Sequence, residues 1–263
     1  MMCNLMQNKE ALNKQYKDST GLEIRRLFHK KYSTNKTDYD SWIIENIPFC
    51  KEQHVLDIGC GNGKLWDKGK KWLEDLDELV LADNSEGMIS EISSRFQGYA
   101  SVECMLADIC GLPFPAEKFD IVIANSMLYH VEKLENAIAE VFRVLKPEGV
   151  FIATTFSKYG LNSYINDAMI EMGLLPPSQK TSVNFSLEDG GKYLRDVFCD
   201  VELRRYEDFL EVSEAEDLVE YIFSMTSMKS IPGSAREEMI RYFENKKNNE
   251  GIIKIPKIYG MFL

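Results

Sequence analysis

The sequence predicts an α/β fold, a doubly wound and mostly parallel sheet with helices on both faces. Three observations predict it. Several short runs are apolar at consecutive positions, as strands covered on both faces are; apolar stripes at helical spacing lie between them; and the two kinds of segment alternate.

The clearest strands are His54 to Ile58, Leu79 to Ala82, Phe119 to Ala124 and Val150 to Ala153, with Val102 to Ala107 a weaker fifth. Met88, Ile89, Ile92 and Phe96 form one helical stripe, and Leu134, Ala137, Ile138, Val141 and Leu145 form another. Right-handed crossovers then bring the C-terminal ends of the strands to one edge, where open α/β sheets bind ligands.

Around this core at 51–157 the chain divides into three further segments. Residues 1–50 carry helical patterns at Lys9 to Tyr16 and Leu22 to Tyr32 and then "STNKTDYDSWIIENI", and read as a helical lid. Residues 158–199 read as a helical cap inserted over the binding edge, with helices at Asn162 to Met172 and around Leu187 to Phe198. Residues 200–263 complete the same domain with two extended segments, Val201 to Val212 and Ile252 to Leu263, which raise the strand count to seven. Between them Ser213 with Glu216, and Ser234 with Glu237, have the spacing of capping boxes ahead of two helices.

Composition narrows the function. A chain of 263 residues has enough material for a sizeable core, and a formal charge of -11 offers no general source of attraction for phosphate backbones, so a nucleic-acid partner is not expected. The six cysteines include no CxxC pair, and no metal site is called for; reduced, mostly buried thiols in a cytoplasmic protein are the expectation. The first residues lack the apolar segment of a signal peptide and no run approaches a membrane span.

The chemistry is carried by "VLDIGCGNGKLW", Val55 to Trp66, where three glycines follow an apolar run that ends in an acid. A bare strand-to-helix turn lets a ligand approach the main chain. A dinucleotide fingerprint wants Gly or Ala where Lys64 stands, so a nicotinamide cofactor and an oxidoreductase are the alternative reading. A phosphate loop ending at Gly63 and Lys64 wants glycine at Ile58 and a hydroxyl at Leu65, and fails at both.

What remains, Asp-x-Gly-x-Gly-x-Gly from Asp57 to Gly63, resembles motif I of the class I S-adenosylmethionine-dependent methyltransferases. Its companions stand in order: "LVLADNS" ending a strand at Asp83, "MLADIC" at Asp108, "FDIVIANSMLYHV", and "RVLKPEGVFIATT". The resemblance covers roughly Lys51 to Thr155 and implies a Rossmann-like fold with S-adenosylmethionine as cofactor and S-adenosylhomocysteine as product.

It also implies the binding residues. Asp83 is suited to both ribose hydroxyls, since a carboxylate accepts bidentately. Asp108 and Ile109 take the adenine; Asp57 organises the loop and the methionine amino group; Gly59, Gly61 and Gly63 let the ligand lie against the backbone; Asn125 sits beside the methionine moiety. The usual glycine pair after Lys146 and Pro147 appears as Glu148 and Gly149.

Methyl transfer from a sulfonium needs positioning more than a nucleophilic residue or a metal. His130, in "SMLYHV", is the candidate catalytic base for a hydroxyl or amine acceptor. "FHKKYSTN", Phe28 to Asn35, together with "SMLYHV", resembles the small-molecule, quinone-biosynthesis-like methyltransferases, which implies a small-molecule acceptor. A protein that binds the cofactor without transferring methyl is the other alternative. Neither the acceptor nor the oligomeric state is legible.

Overall fold

A computed structural model describes residues 20–177 and 183–263. The helical pattern at Lys9 to Tyr16 lies outside them.

Five parallel strands form as the apolar runs require: β1 His54–Ile58, β2 Glu78–Asp83, β3 Val102–Leu106, β4 Phe119–Asn125 and β5 Leu145–Phe156. Two C-terminal strands, β6 Leu203–Val212 and β7 Ile253–Phe262, pair antiparallel with each other, and β7 pairs antiparallel with β5. The order across the sheet is β3-β2-β1-β4-β5-β7-β6. The chain winds outward from β1 to β3, then returns to start β4 on the other side of β1, so the topological switch lies between β1 and β4.

Alternate residues of the central strands feed two separate cores. Leu56, Ile58, Val80, Val122 and Ala124 face helix α4, Leu134–Val144, through its Ala137, Ile138 and Val141. Val55, Leu79, Leu81, Ile121 and Ile123 face the other way, against helix α3, Glu86–Phe96, through Ile92 and Phe96, and against Ile43 and Ile44 of helix α2, Tyr39–Asn46. Both faces are dry, which is why these strands read as continuous apolar runs and not as alternating ones.

A third core gathers the rest. Phe28 and Tyr32 of helix α1, Thr20–Tyr32, pack with Ile165 and Met169 of α5, Leu161–Glu171, with Leu218 and Ile222 of α7, Ala215–Phe223, and with Met239 and Phe243 of α8, Arg236–Glu244. Leu210 and Ile255, near the far ends of β6 and β7, close it.

Several expectations need correction. The 158–199 segment is not one cap: α5 joins the α1–α7–α8 lobe, whereas the second helix, α6 Gly190–Arg195, lies against α4, with Leu194 in the same core as Phe262. The capping boxes do not form, because α7 starts at Ala215 after Glu214 and α8 at Arg236 after Ala235, neither with a side-chain cap. The Lys146 to Gly149 turn is absorbed into β5 as an irregularity opposite Phe119 to Ile121, with Glu148 at φ 66°. None of the five described cysteines is fully buried, and Cys50 and Cys199 are exposed. Among the described residues no helix is long and apolar enough to cross a membrane.

Candidate cofactor and acceptor site

A cavity of about 660 Å³ opens at the C-terminal edge beside the β1/β4 switch. Its floor is the glycine turn. Gly59 and Cys60 both donate their backbone N–H to Ala82 O, at 2.7 and 3.1 Å, which pins the turn to the end of β2. Gly59 has φ 74°, and a Cβ there would stand 2.8 Å from Met127 Cγ; the turn needs glycine for both reasons.

Asp83 closes the turn from the neighbouring strand. Its Oδ2 accepts from Gly61 N at 2.9 Å and its Oδ1 from Ser85 N at 2.9 Å, so the carboxylate is oriented by two backbone donors on the cavity wall. Burial pushes its pKa up, and the Gly61 and Ser85 amides oppose that shift.

Gly59, Gly61, Asp83, Asp108, Ile109, Asn125 and His130 all line this one cavity. Ile109 is buried, while Asp108 is exposed and bonds to Cys110 N through Oδ1 at 3.0 Å. The Oδ1 of Asn125 accepts from the Thr154 hydroxyl at 2.6 Å, which fixes the amide's orientation. The ring of Tyr129 lies 4.4 Å from that of His130.

Two of the expected residues stand behind the wall. Gly63, at φ 68°, packs against α3, where a Cβ would meet Phe96 Cε2 at 2.7 Å, so close helix packing requires glycine there. Asp57 is fully buried; Trp66 Nε1 donates to its Oδ2 at 2.9 Å, and its Oδ1 has no hydrogen-bond partner among the described residues. Burial is the main reason its pKa rises to about 7, with the Trp66 bond opposing and Asp83 adding to the rise. A buried oxygen with an empty acceptor position, directly beneath the turn, suits a donor supplied by a ligand or a water it holds.

Sequence reasoning expected a helical N-terminal lid but named none of the residues by which it walls the cavity. Leu22, Arg25, Arg26 and His29 of α1 line the cavity, joined by Tyr39, Tyr221 and Tyr259. The spacing 22, 25, 26, 29 is one helical stripe, and the charges on it were the available signal: a stripe that faces neither core nor open solvent faces a cavity. Burial drives the His29 pKa down to about 3, aided by the nearby Lys257 charge, so its imidazole is neutral.

Residues 56–153, from β1 into β5 and including every proposed cofactor contact, match the methyltransferase domain family. The chain carries a class I S-adenosylmethionine-dependent methyltransferase domain. The domain is 35% identical over 109 residues to the ubiquinone/menaquinone biosynthesis C-methyltransferase of Erwinia tasmaniensis, which covers 40% of this chain and 43% of that one. An uncharacterized chloroplastic methyltransferase of Arabidopsis thaliana is 28% identical over 172 residues, 60% of this chain and 44% of the relative. The chain thus spans less than half the length of each of these two curated relatives. In three dimensions a putative methyltransferase from Bacillus halodurans superposes with TM-score 0.60 at 15% identity, over 85% of this chain and 96% of that one. The cofactor of such a domain is S-adenosylmethionine.

Proposed function

We propose that this chain transfers a methyl group from S-adenosylmethionine to a small-molecule acceptor by direct in-line displacement, releasing S-adenosylhomocysteine. One observation carries the reading: Asp83 is held by two backbone amides on the wall of the cavity that the glycine turn floors, with Asp108 and Ile109 at the next strand end. That is the layout a ribose and its adenine need.

In this reading Asp83 accepts the two ribose hydroxyls, Asp108 the adenine amino group, and Ile109 packs on the ring. Gly59 and Gly61 admit the methionine chain, with Asn125 beside it, and Asp57 is reached through its unpartnered oxygen. When bound, S-adenosylmethionine supplies a methyl group on a positively charged sulfur, already activated for displacement. The protein holds the acceptor in line, excludes water with the α1 wall, and takes a proton at the His130 imidazole when the acceptor is a hydroxyl or an amine.

Two expected results test this. Calorimetric titration will show binding of S-adenosylmethionine and S-adenosylhomocysteine and none of NAD; binding of NAD alone would establish the oxidoreductase alternative, while tight cofactor binding with no turnover on any acceptor would favour a binding protein. With an acceptor in hand, His130→Ala is expected to lower kcat by about 10²–10⁴-fold, the usual contribution of a positioned base. Full turnover across the pH range removes His130 from that role.

A further inference from the structure

We propose that the acceptor is an aromatic or similarly planar acid, and that Arg25 recognises its carboxylate. The inference rests on the methyl-transfer reading and names the substrate class of the same site.

The cavity is electrically lopsided. Its sheet-edge end carries Asp83, Asp108 and Glu132, whereas the stripe of α1 presents two guanidinium groups against the single carboxylate of Asp40, in a chain whose net charge is -11. Four cationic side chains line the cavity. Arg26 is neutralised by Asp40 at 2.9 Å, Lys64 by Glu23 at 2.6 Å, and Lys133 stands exposed.

Arg25 is different. It is partly buried, and Nη1 donates to Ser224 O at 2.8 Å, just past the end of α7. It makes no ion pair with a carboxylate among the described residues. The Ser224 bond is a structural duty: it caps α7, which has no basic residue in its own last turn, and it fixes where the guanidinium stands. One contact to a carbonyl uses one of five N–H donors and leaves the charge without a carboxylate partner among the described residues. A planar fork beside a cavity, anchored on one side, fits a carboxylate.

His29, one turn further along the same stripe, lines the cavity as a neutral ring and does not compete for the anion. The cavity is also rich in aromatic rings. Tyr39, Tyr129, Phe156, Tyr221 and Tyr259 all line it, and Phe156 lies 4.8 Å from Tyr129 and 6.3 Å from Tyr259 by ring centroids. Aromatic walls favour a flat apolar body through offset and edge-on contacts. A flat body ending in a carboxylate meets both conditions at once.

The experiment uses the full chain saturated with S-adenosylhomocysteine, titrated calorimetrically with benzoate, 2-naphthoate and indole-3-acetate, each against its carboxamide, and with phenylphosphonate. At least one acid is expected to bind tenfold or more tighter than its amide and tighter than phenylphosphonate. In Arg25→Gln that discrimination is expected to collapse to within about twofold, Arg25→Lys to restore part of it, and S-adenosylhomocysteine affinity to stay unchanged in both. A role confined to capping α7 would shift melting temperature and leave the acid-to-amide ratio intact; that result overturns the proposal. So do binding of none of the acids, equal binding of acids and amides, or preference for phenylphosphonate. Failure of the wild-type chain to bind S-adenosylhomocysteine overturns the methyl-transfer reading itself, and is seen before any acid is added.

Discussion

Asp83→Ala is expected to weaken S-adenosylhomocysteine binding by about 100-fold or more while leaving the protein folded. Two hydrogen bonds from a diol to one carboxylate contribute roughly 1.5–3 kcal/mol each, and each 1.4 kcal/mol is a factor of about ten in affinity. Part of the loss comes through the turn, because Asp83 also receives the Gly61 and Ser85 amides that aim it. Asp83→Asn separates the contributions: it retains one oxygen for a backbone donor and gives up the charge and the bidentate acceptor, so its affinity is expected to fall between wild type and Asp83→Ala. The affinity of the wild-type protein is also expected to decline as pH falls through the Asp83 pKa, which burial holds above the usual carboxylate value of 3.8. Calorimetry alongside far-ultraviolet circular dichroism measures both. Unchanged affinity in a folded Asp83→Ala removes this residue from the site.

The methyltransferase-domain part of the chain was readable because its constraints are local. A strand buried on both faces must be apolar at successive positions, so β1, β2 and β4 announce themselves, and a backbone forced to positive φ beside Met127 must carry Gly59. Asp83 is the last residue of β2 and Asp108 lies two residues past the end of β3, which fixes both at the sheet edge once the strands are known. Local pattern cannot say which of the three alternating glycines lines the cavity and which packs on a helix: Gly63 packs against Phe96, a tertiary contact.

The part of the cavity opposite the sheet edge was illegible for the converse reason. Its wall brings together α1, α2, β5, α7 and β7, from positions 22 to 259, and no short window contains the contact between Arg25 and Ser224 or between His29 and Tyr259. The capping boxes mislead in a similar way. The motif marks a site where a helix can begin, whereas α7 and α8 start at Ala215 and Arg236 without a side-chain cap and pack into the core around Leu218, Met239 and Phe243.

The position of the α1 wall depends in turn on a buried ion pair, and breaking it should have the largest effect on stability. Asp208 on β6 and Lys257 on β7 are 2.9 Å apart with side chains 0% and 3% exposed. Asp208 also receives the Ser33 hydroxyl and the backbone N–H groups of Thr34 and Asn35, each of the latter at 2.9 Å, so it ties the chain just after α1 to the sheet. Asp208→Asn leaves the Lys257 ammonium buried without its counter-charge, and a loss of about 3–5 kcal/mol is expected in denaturant unfolding. Replacing both, as Asp208→Asn with Lys257→Met, is expected to recover much of that, since the cost lies in the orphaned charge and not in the absence of the pair. Burial alone would raise the Asp208 pKa, but the Ser33 hydroxyl, the Lys257 ammonium and the Asn35 amide outweigh it and the net shift is downward. A lowered pKa in the folded state stabilises the fold above the ordinary carboxylate value and ceases to do so as pH falls through the folded value. The gap between wild type and Asp208→Asn should therefore be constant from about pH 5 to 8 and narrow below 3.8. A gap under about 1 kcal/mol at neutral pH would show that the anchor is dispensable, and with it the reason that a helix carrying Arg25 and His29 holds its place against the cavity.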